Sequence, residues 1–418
     1  MLNTIYIGIG QCGNRFADCF AKCSTDGKEV HGEAAGIAAI AINTAAGDMS
    51  MLENVRDENK IKITLAGRTE GAGRNPEIGC ESMEANLSLV DASIRSACQK
   101  AKMEHVDLCF LWAGLGGGTG TGGLQVLAEH LADEGYNIAI GVTMPKKNEG
   151  MVARVNAYNA MLQLQNWLSN KGRRDIPYIV IDNNRITDTT LEKSNEMIAS
   201  TISRMNRATS FKLAGSNFDN SDFLSVLKRF GTMSFVKAAI PLAEISSDSS
   251  EAMLNAVEKE LEKVPYTGSV ASDARGAAIV AVVPGKFLET GGGANRKMLD
   301  SNIDAVKNKF AESNPYSAVY IHPSAEVTDK MFVYVLLTGL AAPLDEMNAL
   351  CDEVSELIAK DKEIVKKNRK ALKGLSASFL ATSRLCCRSA RCSCCSATSL
   401  SMDLPTFMMA FSRRSPLP

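Results

Sequence analysis

Gly116-Gly117-Gly118-Thr119-Gly120-Thr121-Gly122 lies between a buried apolar run, Val106 to Ala113, and a helix-like segment, Leu124 to Asp133. Glycines let backbone N–H groups close around a phosphate, a helix N-terminus adds a favourable dipole, and threonine hydroxyls can donate to phosphate oxygens. This loop is suited to an anion. A second glycine loop, Gly8-Ile9-Gly10-Gln11-Cys12-Gly13-Asn14, also follows a β-rich run and satisfies G-x-G-x-x-G, a pattern that is weak evidence alone. The dinucleotide fingerprint further asks for an acidic residue after the second strand, and the chain offers Asn43 there. That departure counts against a nicotinamide-dependent oxidoreductase. No G-x-x-x-x-G-K-[ST] occurs, so a P-loop nucleotidase is excluded. A third candidate is the acidic run Asn217-Phe218-Asp219-Asn220-Ser221-Asp222-Phe223. Its carboxylates could orient an attacking water, or could simply cap the helix that begins there.

The elements that must position these loops follow from periodicity. Apolar runs Thr4 to Ile9, Ile37 to Ile42, Val106 to Ala113, Ile138 to Met144 and Tyr178 to Ile181 read as buried strands separated by helical stretches. Such alternation predicts a doubly wound parallel α/β sheet, with ligands at the carboxyl ends of its strands. A helical pattern from Leu191 to about Leu213 holds no Gly or Pro before Gly215. Beyond it, Ser234 to Ile240, Ala277 to Val283, Ala318 to Ile321 and Met331 to Leu337 read as the strands of an α+β region, with helices near Ser250 to Lys263 and Lys297 to Ala311. A charged helix from Leu344 to about Leu372 carries one apolar stripe, Leu350, Val354, Leu357 and Ile358.

The combination of glycine loops resembles the tubulin/FtsZ superfamily of filament-forming GTPases, whose signature G-G-G-T-G-[ST]-G stands here at Gly116 to Gly122. Gly10-Gln11-Cys12-Gly13-Asn14 is similar to the tubulin form of that family's first nucleotide loop. Asn43-Thr44 resembles the second, with Ala45 where the family has Asp, and Gly71-Ala72-Gly73-Arg74-Asn75-Pro76-Glu77 resembles the γ-phosphate-sensing third, with Arg74 where FtsZ usually has Gly. Asn148-Glu149-Gly150 looks like the ribose loop, and Arg154 its basic residue, one position later than in FtsZ. Asn183 resembles the guanine-contacting Asn, and Asn195 sits where the central helix should supply a second base contact. Asn217, Asp219 and Asp222 match N-x-D-x-x-D, the loop that acts on the next subunit's nucleotide. GAGRNPEIG (71–79), Ile181-Asp182-Asn183, Phe218 to Phe223 and the charged last helix look most like TubZ, the plasmid- and phage-borne branch.

The resemblance implies a GTP-binding domain over 1–189, a central helix over 190–213, an activation domain over 214–343, a C-terminal helix over 344–374 and a disordered or non-native tail over 375–418. It implies a GTPase that takes GTP/GDP with Mg²⁺, is activated by head-to-tail homo-polymerisation, and acts in plasmid or phage DNA segregation through a DNA-bound adaptor. An FtsZ-like division protein is the alternative, with a non-hydrolysing nucleotide-binding scaffold or an oxidoreductase more remote.

Composition narrows the partners. The 418 residues carry 46 Lys+Arg against 47 Asp+Glu, which argues against direct electrostatic binding of nucleic acid or of a membrane surface. No apolar run reaches the roughly 18 residues of a membrane span, so the expectation is a cytoplasmic protein. The four histidines, His31, His105, His130 and His322, share no ligand-like spacing, and no metal site is expected. Of the 12 cysteines, Cys386, Cys387, Cys392, Cys394 and Cys395 crowd the tail without zinc-ribbon spacing. Asp403 to Met408 loosely echoes FtsZ's partner-binding peptide.

Overall fold

The computed structural model describes residues 1–25, 33–34, 36–68, 70–245, 250–266, 273–290, 293–324, 327 and 329–389, with side chains as far as 370. Met1–Leu357 make one compact unit and Ile358–Pro418 a second. The tail cysteines and the Asp403 to Met408 peptide fall outside the described side chains.

In chain order the first unit opens with β1 (Thr4–Ile9), α1 (Gly10–Thr25), β2 (Glu33–Ala34), β3 (Ile37–Asn43), α2 (Ala46–Ser50), β4 (Lys60–Lys62), α3 (Pro76–Glu84), α4 (Leu87–Lys100), β5 (Leu108–Gly114) and α5 (Thr119–Asp133). It continues with β6 (Ile138–Met144), α6 (Met151–Leu168), β7 (Tyr178–Asp182), α7 (Leu191–Ala208), β8 (Lys212–Leu213), α8 (Asn220–Leu227), β9 (Thr232–Pro241) and α9 (Ala252–Leu261). The last elements are β10 (Gly276–Val283), α10 (Gly285–Glu289), α11 (Ala294–Lys309), β11 (Tyr316–Ile321), β12 (Lys330–Leu340) and α12 (Leu344–Ser389).

Strands β3, β1, β5, β6 and β7 are parallel neighbours. Helices cover both faces of this half, so every residue of β1, β3 and β6 is buried, as continuous apolar runs require. The expected doubly wound α/β architecture is therefore present. The sheet does not stop at β7. A single parallel pair, Tyr178 with Thr232, joins it to β9, and β12, β10, β11 and β8 extend it in mixed orientation. Both halves thus share one sheet among the described residues.

Chain order fixes where a ligand can sit. From β1 the chain crosses to β3 on one side, then returns to β5 on the other. The carboxyl ends of β1 and β5 therefore flank the switch point, where open α/β sheets take ligands. Helix α7 spans the sheet from one rim to the other. Thr190, just past β7, caps its start by accepting from Lys193 N. Near its end Asn206 accepts from Leu2 N at 2.8 Å and donates to Leu2 O at 3.0 Å, at the amino end of β1.

The last helix runs further than its composition suggests. The composition change places its end near 372–374, yet the backbone stays helical to Ser389. No Pro or Gly occurs from Leu375 to Ser389, and a change toward Ser, Cys and Arg is not a stop signal. Within the first unit Met347, Leu350 and Val354 of α12 join the core that includes Ala157, Met161 and Leu164 of α6. No described helix is long and apolar enough to cross a membrane.

Candidate functional site

Register brings three of the glycine-bearing or polar loops level. Ile9 sits beside Ile42 and Ala113, so Gly10, Asn43 and Gly114 leave the sheet together at its carboxyl rim. Gly10 lies against the amide of Gly120: a Cβ on Gly10 would stand 2.8 Å from that nitrogen. The third loop closes on the same spot, where a Cβ on Gly118 would meet Ala72 Cβ at 2.7 Å and Asn75 O at 2.8 Å. Thr44 and Thr119 hydroxyls bond at 2.6 Å in the interior, tying the second loop to the glycine loop. The first four loops named from the sequence, Gly10 to Asn14, Asn43-Thr44, Gly71 to Asn75 and Gly116 to Thr121, are thus one cluster.

Several groups in this cluster lack a protein partner. Asn14 is buried; its Oδ1 accepts from Ile42 N at 3.1 Å, but Nδ2 has no hydrogen bond. A buried unpaired amide costs about 1–3 kcal/mol. Asn183, just past β7, and buried Asn195, in the second turn of α7, make no side-chain hydrogen bond among the described residues. Gln11, in the first turn of α1, is exposed. A ligand carrying phosphates and a polar base would find donors and acceptors here, so the residues present fit a nucleotide.

Other side chains are already engaged. Asn43 donates to Asp48 Oδ2 at 3.2 Å and accepts from Ala45 N at 3.3 Å. Glu149, expected at the ribose, accepts from Lys146 N at 2.7 Å and caps its own turn. Cys12 Sγ pairs with Thr143 Oγ1 at 3.2 Å, and burial pushes its thiol pKa up, which suits packing and not redox work. Arg154 needs a corrected account: expected at the ribose, it is buried and ion-paired with Glu353 of α12, which also meets Lys147 at 3.0 Å. The offset of one residue from the FtsZ spacing rotates it about 100° around α6, given 3.6 residues per turn. Its place is to hold α12.

The third loop explains one residue and reveals another. Gly71, Gly73 and Arg74 have φ of 86°, 57° and 60°. Arg74 occupies a left-handed position that suits glycine, the residue FtsZ usually has there. What holds it is Asn156 of α6, a residue that no sequence motif marked. Asn156 Nδ2 donates to Arg74 O at 2.9 Å and reaches Gly116 O and Gly117 O at 3.4 Å each. One amide therefore staples the third loop to the glycine loop. Asn156→Ala is expected to raise the GTP concentration for half-maximal turnover by about 3–10-fold while costing no more than about 1.5 kcal/mol of stability. Steady-state phosphate release and urea unfolding would check this.

The acidic loop lies at the opposite rim. Asp219 caps α8 by accepting from Asp222 N at 3.0 Å, and Asp222 accepts in turn from Asp219 N at 3.3 Å. Phe218 is buried, with its carbonyl accepting from the Tyr320 hydroxyl at 3.1 Å. Asn220 donates to Met1 O at 3.2 Å and Asp107 Oδ2 at 3.4 Å, beside the amino ends of β1 and β5. Asn217 and Asp219 face solvent. The helix-capping geometry is thus present, and it leaves Asp219 outward. An 18-residue helix, α7, separates this loop from the glycine rim, on the order of 27 Å at 1.5 Å per residue. A subunit's own carboxylates do not reach its own glycine loops.

Comparison with known proteins agrees with this arrangement. Residues 3–190 match the model of the GTPase domain of the tubulin/FtsZ family. The tubulin-like protein CetZ of Pyrococcus abyssi is 32% identical over 274 residues, 62% of this chain and 67% of that protein. The tubulin-like protein TubZ of Bacillus cereus is 24% identical over 363 residues, 81% and 79% of the two chains. A GTPγS-form protofilament of TubZ from Bacillus thuringiensis serovar israelensis superposes with a TM-score of 0.67 at 17% identity, over 88% of this chain and 94% of that one. The chain belongs to the tubulin/FtsZ family. It is a GTPase of that family, with relatives in both the CetZ and TubZ groups.

Proposed function

We propose that the protein is a cytoplasmic, self-assembling filament GTPase whose active site is completed between subunits. The observation that carries this reading is the opposition of the two rims: glycine loops follow β1 and β5, and the Asp219–Asp222 loop lies where those strands begin. Stacking one copy's amino rim on another's carboxyl rim unites them. That contact is heterologous, so it propagates into a filament. A TubZ relative in a GTPγS-form protofilament supports both nucleotide and mode of assembly.

In this reading residues 1–189 bind GTP, the 190–213 segment supplies the central helix, which as α7 ends at Ala208 instead of running to 213 because Lys212–Leu213 pair with β11 as β8, 214–343 activate, and α12 follows from 344. Gly10 to Asn14, Gly71 to Asn75 and Gly116 to Thr121 hold the phosphates through backbone amides, with Asn14 Nδ2 supplying a further donor. Asn183 and Asn195 hold the base. Asp219 and Asp222 of the next subunit orient the attacking water, and Asn217 supports them. Among the described residues no cluster of three His, Cys, Asp or Glu forms a metal cage, which suits a Mg²⁺ carried mainly by the phosphates and water. When bound, it would neutralise charge on the transferred phosphoryl group.

The resemblance of GAGRNPEIG and the Asp219 loop to TubZ extends the proposal to plasmid or phage DNA segregation through a DNA-bound adaptor, in keeping with a net charge of −1. The second reading is an FtsZ-like division protein, because the 32% identity to CetZ gives the TubZ group no preference. Plasmid retention in cells lacking the gene separates the two.

Phosphate release from GTP, measured against protein concentration, is the primary test. Turnover per molecule should be near zero below a threshold and rise above it. Turnover proportional to protein with no threshold would overturn assembly-coupled hydrolysis, and GTP binding without release would leave a scaffold.

A further inference from the structure

Two acidic residues of α12, Glu346 and Glu353, stand seven apart, so they share one stripe of the helix two turns, or about 10.5 Å, from each other. Leu350 lies between them on that stripe and is buried, with Met347 and Val354, in the core that holds α6. Glu346 and Glu353 are accordingly half-buried, whereas Asp345 and Asp352, one position earlier, are exposed. Each of the two half-buried carboxylates takes a cation from a different loop. Glu346 Oε1 pairs with Arg185 Nη2 at 2.7 Å, and Glu353 pairs with Arg154 of α6 and with Lys147 Nζ at 3.0 Å.

Those cations lie on neighbouring loops of the carboxyl rim. Lys147 follows β6 and Arg185 follows β7, and Met144 stands beside Asp182 where the two strands end. The loops are also bonded to each other. Lys147 N donates to Asn184 Oδ1 at 2.9 Å, and Asn184 Nδ2 donates to Pro145 O at 3.4 Å. Asn183 opens the second of these turns. An isolated surface ion pair is worth little, but here two half-buried carboxylates and the buried Arg154 form a network.

We propose that Glu346 and Glu353 are positioning residues for the nucleotide: α12 clamps the loops after β6 and β7 and so holds Asn183 in the orientation that meets the base. The inference rests on the reading of Asn183 as a base contact. Neither carboxylate touches the ligand; each acts through the cation it holds. The glycine loops have their own ties, Asn156 and the Thr44–Thr119 bond, so loosening the clamp weakens the grip on the base and leaves the phosphate loops in place.

Equilibrium dialysis of radiolabelled GDP and GTPγS against the full chain, below the assembly threshold, tests this. Arg185→Glu, which sets two carboxylates face to face, should weaken both nucleotides by the same factor, about tenfold. Exchanging the pair, Arg185→Glu with Glu346→Arg, should return both to within about threefold of the parent. The bond from Arg185 Nη1 to Tyr266 O is lost in both variants, so their difference isolates the ion pair. Glu353→Gln would strand the buried Arg154 cation and cost folding, so the second probe is Arg154→Met with Glu353→Met, which removes both charges and keeps the volume. Its unfolding midpoint should match the parent's while GDP affinity falls by about threefold or more. In the Asn183→Ala background, Arg185→Glu should add less than about twofold, because it acts through that contact. A full loss there, a loss the exchange does not recover, or a loss confined to GTPγS would overturn the clamp. If Asn183→Ala alone weakens GDP while Arg185→Glu and the double Met variant bind as the parent does, the base reading stands and the clamp is overturned. If Asn183→Ala itself binds GDP as the parent does, the base reading fails and takes the clamp with it.

Discussion

Asp219→Asn and Asp222→Asn are each expected to cut GTP turnover by about 10²–10⁴, the usual worth of a positioned general acid or base, while GTP binding is retained and assembled filaments persist. The choice of asparagine follows from the capping geometry. Asp219 accepts from Asp222 N at the start of α8, and replacing such a cap by alanine costs about 1 kcal/mol, so an alanine variant would mix a folding defect with a catalytic one. Asparagine is as good a cap as aspartate and removes only the charge. Unfolding midpoints close to the parent's, with lost phosphate release, would assign the carboxylates to chemistry. Full turnover in both variants would sink the assignment and leave the loop with capping alone. Mixing adds a second readout. An Asp222→Asn subunit still offers an intact nucleotide site, so a neighbour with intact carboxylates but a damaged glycine loop should restore part of its turnover. If the site were built within one chain, no such rescue would occur.

The sequence discloses different parts of this arrangement to different degrees, for physical reasons. Buried parallel strands are continuous apolar runs, so β1, β3, β5, β6 and β7 were legible to within two residues at either end. Strands β2, β4 and β8, of two or three residues, are too short to carry a period. The meeting of the glycine loops follows from motif and topology together. That Asn156 staples two of them does not: a lone asparagine in a helix has no motif, and its partners lie 39 to 82 positions away. The ion pair of Arg154 with Glu353 was hidden for the same reason, since local spacing carries no information on which distant helix will pack there. The acidic loop is the instructive case. N-x-D-x-x-D satisfies a capping box and a catalytic pair at once, because a capping box needs side-chain acceptors three apart at a helix start and two aspartates meet that need as well as a catalytic one. Only its position at the rim opposite the glycines links the local pattern to a function between subunits.

A glycine whose reason lies outside the protein gives the sharpest test of the nucleotide site itself. Gly118 is glycine because the third loop crosses it, and Gly118→Ala should cost stability through the 2.7 Å and 2.8 Å approaches to Ala72 and Asn75. Gly117 is different. A Cβ there meets no described residue within 4 Å, and its φ is not in the left-handed region, so neither packing among the described residues nor conformation demands glycine. Alanine has lower backbone entropy to lose and would be neutral or slightly stabilising at such a position, by up to about 1 kcal/mol. If its backbone approaches a phosphate, the same methyl group blocks that approach. Gly117→Ala is therefore expected to leave the unfolding midpoint unchanged or raised while weakening GTP binding by about 100-fold, equivalent to about 2.7 kcal/mol. Thermal unfolding without nucleotide and equilibrium binding of a fluorescent GTP analogue measure the two halves separately. A loss of both would mean a structural glycine, and a loss of neither would mean that the phosphates lie elsewhere. Only the split outcome, an undisturbed fold with nucleotide affinity gone, fits a loop shaped for a ligand, because no contact among the described residues accounts for the missing side chain.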